Sequence, residues 1–372
     1  MAVAVKKRTA PIGVGTVILI LLSLFGLILT IYRWAVGLGP TTALTDGRGW
    51  GIWIGFDVVS GIALAAGAFT IAATVYIFQL KRFYPIVRAT VLTGLIGYAL
   101  AAVAISIDLG FPYRIFNLVR FSNIHSPLYE IGWCVMAYAT VLALESSPLI
   151  FERFNMKAPL RLIRAITIPL VIIGVILSTM HQSTLGTLFL PMPHRIPALW
   201  YSGILPLLFF VSAVGLGLGM VIVESTLSSS VFKRSLENDL LADIAKAIPY
   251  VLGVYLLLKV VDLVVAGDLG AVFNGGYLSI LFWVEIIVGV VLPIIFFSLE
   301  NVRNDRYKRF WTAVMVVVGI VFNRLIISVI AFNAGPYVPS WQELFITIGW
   351  VSIGITAFYI AGRFLPLFPE EH

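Results

Sequence analysis

Ten apolar runs, each more than twenty residues long, dominate this chain, and each is long enough to cross a hydrocarbon layer of about 30 Å. Their approximate limits are 12–37, 50–80, 86–108, 125–151, 160–182, 199–225, 244–266, 277–299, 310–332 and 343–367. In hydrocarbon every backbone N–H and C=O must be satisfied within the protein, so runs of this length form helices. The expected fold is an all-α polytopic membrane protein with ten transmembrane helices. A content of 60% hydrophobic and 12% charged residues, with mean hydropathy +1.01, excludes a soluble domain.

The connections hold the turn-forming and charged residues, among them Gly39-Pro40, Tyr84-Pro85, Phe111-Pro112 and Gly335-Pro336. The longest polar stretch, Ser225 to Asp243, reads as a short surface helix. Lys6, Lys7 and Arg8 precede the apolar run Ile12–Ile31, which is too long for a signal-peptide core and reads as a retained first helix. The net charge of +7 does not point to nucleic acid, because the basic residues gather at segment ends.

That clustering sets an orientation. The N-terminus, the even-numbered connections and the C-terminus carry eighteen Lys and Arg residues, whereas the opposite face has Arg48, Arg114, Arg120 and Arg195. Eighteen against four places both termini in the cytoplasm. The alternation supports the count of ten, since an error of one segment would destroy it.

Depth then becomes legible. Segment 2 enters from the outer face near Trp50, which puts Asp57 roughly 10 Å in. Segment 3 reaches that face at Asp108, segment 4 leaves it with His125 and Glu130, and segment 5 returns to it with His181. A charge in hydrocarbon costs roughly 2.5–3.5 kcal/mol on the insertion scale, so ionisable side chains there normally face a bundle interior and serve a function. The second half carries Lys259 and Asp262 one turn apart in segment 7, Glu285 in segment 8 and Arg324 in segment 9. By depth Asp262 matches Asp108, Glu285 matches Glu130 and Arg324 takes the place of His181. The implied architecture is two four-helix bundles, segments 2–5 (50–182) and 6–9 (199–332), with segments 1 and 10 outside.

Four ionisable groups at one level point to proton movement, and a quinone is the substrate that such a site suits. Its reduction takes two electrons and two protons, so it needs donors to the carbonyl oxygens and a group that relays protons. Imidazole titrates near neutrality and suits the first role; a buried carboxylate suits the second. His181 and Asp57 are the expected head-group contacts, with Glu130 and Asp108 as the relay. The alternative is polar glue between helices. His125 is either a quinone ligand or a helix cap, and His194 and His372 read as loop and tail. Lys259, Asp262, Glu285 and Arg324 either neutralise one another or form a proton route through the second bundle. Glu145 and Glu224 are solvated helix ends or inner proton entrances.

Cofactor chemistry is narrowed by the same residues. Cys134 is the single cysteine, which excludes a thiolate-ligated iron–sulfur cluster or a four-cysteine zinc site in this chain. A bis-histidine haem could use only His125 and His181, so no haem is expected. Gly215-Leu-Gly-Leu-Gly219 lacks a preceding strand and reads as close helix packing rather than a nucleotide loop, as do Gly61, Ala65 and Gly67.

Several segments resemble the NrfD/polysulfide-reductase membrane-subunit family, in its ten-helix Hyb-type branch. They are Trp50-Gly-Ile-Trp-Ile-Gly-Phe-Asp57, Gly97-Tyr98 to Ser106-Ile-Asp108, Ser126-Pro-Leu-Tyr-Glu130, Thr179-Met-His-Gln-Ser-Thr-Leu-Gly186, and Ala331-Phe-Asn-Ala-Gly335 with Trp341-Gln-Glu-Leu344. The resemblance implies a haem-free subunit that reacts with quinone, menaquinone being the expected one. It also implies an outer-face ferredoxin-like iron–sulfur partner, joined by a hydrogenase or a multihaem cytochrome c. Asp57, Asp108, Glu130 and His181 match that family's proposed quinone and proton residues. The competing classes are a secondary transporter, which midplane broken helices would favour, and a non-catalytic scaffold.

Overall fold

The computed structural model describes residues 13–368; Lys6, Lys7, Arg8 and His372 lie outside the described residues. Among these residues ten helices are long and apolar enough to cross a membrane. They are α1 (Val14–Val36), α2 (Trp53–Ile77), α3 (Lys81–Asp108), α4 (Pro127–Arg153), α5 (Lys157–Thr187), α6 (Leu205–Phe232), α7 (Asn238–Ala266), α8 (Tyr277–Ser298), α9 (Arg306–Ile330) and α10 (Trp341–Phe364). The molecule is an all-α polytopic membrane protein. Its two ends are conveniently named by charge: a basic-rich end with the α2–α3, α4–α5, α6–α7 and α8–α9 connections, and a far end nearest Asp57.

Helix starts follow local chemistry. Pro127 and Pro206 sit in first turns, where a missing N–H costs nothing. Asp305 caps α9 through the Lys308 amide at 2.7 Å. Ser340 and Glu343 form a reciprocal capping box on α10.

Packing runs α2 against α3, α3 against α4 and α4 against α5, then α6 against α7 and α9, and α8 against α7 and α9. Helix α2 is the most buried of the ten and also touches α6 and α9, so it belongs to both halves. Helix α1 packs along α10, and that pair leans on α3. Three crossings are set by facing glycines: Gly26 with Gly349, Gly67 with Gly217, and Gly289 with Gly319. A Cβ on Gly319 would stand 2.1 Å from the Gly289 Cα, so only bare backbones can meet there. Small residues at crossings are how membrane helices gain dispersion contact, and Gly217 fulfils the packing role expected of the α6 glycine run.

Two expectations are corrected. Ser225–Phe232 is not a surface helix but the last two turns of α6, and α7 already begins at Asn238. The hydroxyls of Thr226, Ser228, Ser229 and Ser230 turn back onto carbonyls three or four residues earlier at 2.7–3.2 Å, which lets a polar sequence stay helical. At the other end of α6, residues 199–204 are not helical. With Pro197 ahead of it and Gly203 within it, this stretch folds as a turn that buries Leu199 and Trp200 in the protein.

Candidate functional site

Asp57 sits in a π-helical turn, Trp53–Val58, at the start of α2. Such turns carry one extra residue, redirect the side chains they hold and recur at functional sites. Asp57 accepts a 2.7 Å hydrogen bond from the Thr347 hydroxyl of α10. It also lines a cavity of about 720 Å³ bounded by α1, α2, α3, α6 and α10. The walls are almost wholly apolar or small: Phe56, Gly61, Leu100, Met220, Trp350 and Phe358 are representative. Glu224 of α6 lines the same cavity. Counting from the Gly67–Gly217 crossing at 1.5 Å per residue, Asp57 and Glu224 are separated by about 25 Å along the bundle axis. The cavity is therefore a long apolar slot with a carboxylate toward each end.

The other expected residues are not on that slot. His181 is fully buried in α5, six residues before the helix ends, with its ring edge-on to Tyr98 at 5.5 Å between centroids. Tyr98 in turn meets Tyr138 at 4.7 Å. Gln182 donates to the Ile62 carbonyl at 3.1 Å, which ties α5 to α2. His181 is thus separated from the slot by α2 and α3, whose Gly61 and Gly97 line it. One turn beyond His181, Thr184 donates a 2.6 Å hydrogen bond to Glu130. Glu130 is thus tied to α5 one turn from His181, through Thr184, whereas His181 does not line the slot that holds Asp57.

Asp108 is the last residue of α3 and lies in the field of Arg33 and Glu343. Arg33, a fully buried cation in α1, caps the end of α3 through the carbonyls of Leu109 and Gly110. Glu343 is fully buried as well and gathers the Ala43 amide at 2.9 Å, the Tyr337 hydroxyl at 2.6 Å and the Ser340 amide at 2.8 Å. Burial, with the Glu343 carboxylate as acceptor, raises the Tyr337 phenol above its ordinary value. The Arg48 guanidinium stacks over the Tyr337 ring at 4.7 Å and donates to the Gly335 carbonyl at 2.6 Å. His125 is exposed in the turn before α4 and His194 is exposed in the α5–α6 loop.

In the second half the charges do not pair with one another. Among the described residues all ion pairs lie at the basic-rich end: Arg82–Asp243, Arg88–Glu152, Arg164–Glu152 and Arg234–Glu237. Glu285 is held instead by neutral donors, Trp200 Nε1 at 2.6 Å, Asn323 Nδ2 at 2.8 Å and the Tyr255 hydroxyl at 3.5 Å. Lys259 donates to the Leu199 carbonyl at 2.6 Å, and Arg324 to the Phe209 carbonyl at 2.8 Å and the Ser212 hydroxyl at 2.7 Å. Arg324 also lies 3.4 Å from the Phe209 ring centroid. Asp262 accepts from Ser202 at 2.7 Å. Mutual neutralisation by direct ion pairs is thus replaced by a shared network in which the 199–204 turn supplies key donors and acceptors.

A lone arginine inside an apolar run was a readable signal for Arg33, and the Ser340-x-x-Glu343 spacing was one for Glu343. Thr347, Tyr98, Tyr138 and Trp200 gave none, since such residues are ordinary in buried helices and their roles come from what the fold sets opposite them.

The family model described as polysulphide reductase, NrfD, matches residues 43–334. The chain belongs to the NrfD family. It is 32% identical over 92% of its length to the probable Ni/Fe-hydrogenase 2 b-type cytochrome subunit of Escherichia coli K12, covering 89% of that protein. It is 30% identical to the menaquinone reductase integral membrane subunit of Nitratidesulfovibrio vulgaris, over 91% of this chain and 87% of the relative. The Hdr-like menaquinol oxidoreductase integral membrane subunit of Archaeoglobus fulgidus is 22% identical over 66% of this chain and 61% of its own. The first of these names raises haem, and among the described residues the histidines do not form a bis-imidazole site for one. Bis-histidine ligation needs two imidazoles facing each other, yet His181 is sealed against Tyr98 while His125 and His194 are exposed in far-end connections.

Proposed function

We propose that this chain is the quinone-reactive membrane subunit of a respiratory oxidoreductase complex, exchanging electrons with the membrane quinone pool. The observation that carries this reading is the apolar slot of about 720 Å³ with the Asp57–Thr347 pair at its far end. Ligand sites of this size are mostly apolar with a few placed polar groups. A quinone head group at Asp57 would meet a proton-exchanging carboxylate, while its isoprenoid tail would lie along α1, α10 and α6. The relatives named as menaquinone and menaquinol oxidoreductase subunits make menaquinone the favoured substrate.

Reduction adds two electrons and two protons to the quinone. The electrons come from a partner subunit, because Cys134 alone cannot hold an iron–sulfur cluster. Asp57 exchanges the proton at the head group, Thr347 orients its carboxylate, and His181 with Glu130 and Asp108 supplies the wider relay. The charge asymmetry supports an orientation with the basic-rich end and both termini in the cytoplasm of a bacterial or archaeal cell and the far end outside. A periplasmic ferredoxin-like iron–sulfur subunit, linked to a hydrogenase or multihaem cytochrome c, would dock there. The α3–α4 connection exposes Phe111, Phe116, Phe121 and Ile124 beside Arg114 and Arg120 at that end, a surface suited to such a partner. The Glu285 network is the proposed proton route of the second half.

The test is purification of the assembled complex in mild detergent with analysis of its lipid extract and its reduced-dye quinone reductase activity. Co-purifying quinone and turnover abolished by Asp57→Asn support the reading. A quinone-free protein without turnover, binding ions or solutes instead, favours transport.

A further inference from the structure

A slot that held only a head group at Asp57 and an isoprenoid tail behind it would need nothing but apolar walls beyond the Asp57–Thr347 pair. Three wall residues depart from that: Thr93 of α3, Glu224 of α6 and Thr356 of α10. Both threonine hydroxyls and both Glu224 carboxylate oxygens are buried without a partner at bonding distance and angle. Threonines nearby behave differently, since Thr70, Thr74 and Thr90 each return the hydroxyl to the carbonyl four residues earlier at 2.7–2.9 Å. Glu224 is buried and has Ser228, Arg234 and Glu237 in its surroundings. Of these, Ser228 donates to the Ser225 carbonyl at 3.2 Å and Arg234 is paired with Glu237 at 2.7 Å.

The three groups share a level. Thr356 is nine residues past Thr347 on α10, about 14 Å at 1.5 Å per residue. Gly94 abuts Ala68, eleven residues past Asp57 on α2, which sets Thr93 about 16 Å from the level of Asp57. The Glu224 backbone lies deeper, but helical side chains lean toward the N-terminus of their helix, which for α6 is the far end. Glu224 and Thr93 accordingly wall one small cavity of about 10 Å³ beside the slot. The slot also reaches the lipid-facing surface on this side. Leu227 and Val231 of α6 and Ile355 of α10 line it while about half exposed, whereas Ala104 and Ile107 at the Asp57 end are buried.

We propose that Thr93, Glu224 and Thr356 form a second head-group station in the slot, a staging site for quinone and quinol about 15 Å from Asp57 toward the basic-rich end. It rests on the quinone reading above and adds where the ring is held before and after the exchange at Asp57. A quinone carries carbonyl oxygens on opposite sides of its ring, and a quinol carries hydroxyls in the same places. Threonine hydroxyls on α3 and α10 donate to the first or accept from the second, and the α6 carboxylate accepts from a quinol hydroxyl. An isoprenoid tail offers none of these bonds, and buried polar atoms left unmet are costly. A head group at this level meets them, and with the slot's mouth on the same side it does so on entry and on exit. No electron moves here; the station binds and releases.

The experiment uses the assembled complex in detergent and a tailless naphthoquinone with an azide on its ring, photolysed with and without excess menaquinone, the labelled residues being read by mass spectrometry. Wild-type protein should carry competable label at two levels: Phe56 or Trp350 beside Asp57, and Met220, Ile355 or Tyr359 around the second station. The double variant Thr93→Val, Thr356→Val should lose at least fivefold of the second label and keep the first within twofold. Glu224→Leu should do the same, and it decides should the double variant fail to assemble. Label beside Asp57 alone in the wild type means that the three groups hold water only, and overturns the station. Second-level label unchanged in an assembled variant overturns it as well. Absence of competable label at both levels is a separate result, which rejects the quinone reading itself.

Discussion

Thr347 of α10 donates a 2.7 Å hydrogen bond to Asp57 in the π-turn of α2, so the polar end of the slot is made by two helices that are far apart in sequence. A carboxylate fixed by one hydroxyl within apolar walls is positioned for proton exchange with whatever fills the slot. Asp57→Asn should cut quinone turnover by about 10²–10⁴-fold, the usual loss on removing a positioned proton donor or acceptor. Thr347→Val should act in the same direction but more weakly. Steady-state assays on assembled complex measure both, and wild-type turnover in Asp57→Asn removes this residue from the site.

Glu285 offers a contrasting case, a buried carboxylate supported by neutral donors rather than by Lys259 or Arg324. Glu285→Gln keeps the shape and most hydrogen bonds, so the complex should stay assembled. The proposed route predicts intact electron transfer with fewer protons moved per electron. Simultaneous quinone and pH recordings in vesicles decide, and an unchanged stoichiometry in a stable variant rejects a route through Glu285.

The glycine crossings should govern stability rather than chemistry. Gly319→Val places side-chain atoms where the Gly289 backbone already lies. Overpacking of this kind typically costs about 1–3 kcal/mol, occasionally more. The expected outcome is a lowered thermal midpoint in detergent, with quinone KM unchanged in whatever fraction survives. An unaltered midpoint would show that the α8–α9 crossing yields easily.

Much of this was legible in the sequence. The ten spans were, because a run of more than twenty apolar residues has few alternatives, and Asp57 was, because an acid inside such a run is rare. The slot was not, since it is the gap left among five helices, and no residue pattern encodes a gap. The split between Asp57 and His181 was hidden for a related reason: depth can be counted along a helix, whereas the direction a side chain faces depends on neighbours. Trp200 was obscured by a proline-containing loop that reads as surface, and the end of α6 by serines that reads as polar but bond back to their own helix.

Orientation is open to a direct check. Reporter fusions after residues 40, 118 and 190 should signal the outer compartment, and fusions after 83, 156 and 235 the cytoplasm. A cytoplasmic signal at 118 would reverse the assignment of the far end and with it the docking face for the redox partner.

The central claim is that quinone occupies the slot beside Asp57, and photo-crosslinking tests it most directly. A naphthoquinone carrying a photoreactive group on a short tail should label α10 or α6 within the slot, at residues such as Trp350, Phe358 or Met220. Excess unlabelled menaquinone should suppress the labelling. Specific, competable labelling confined to other helices, with none on the slot walls, would contradict the account.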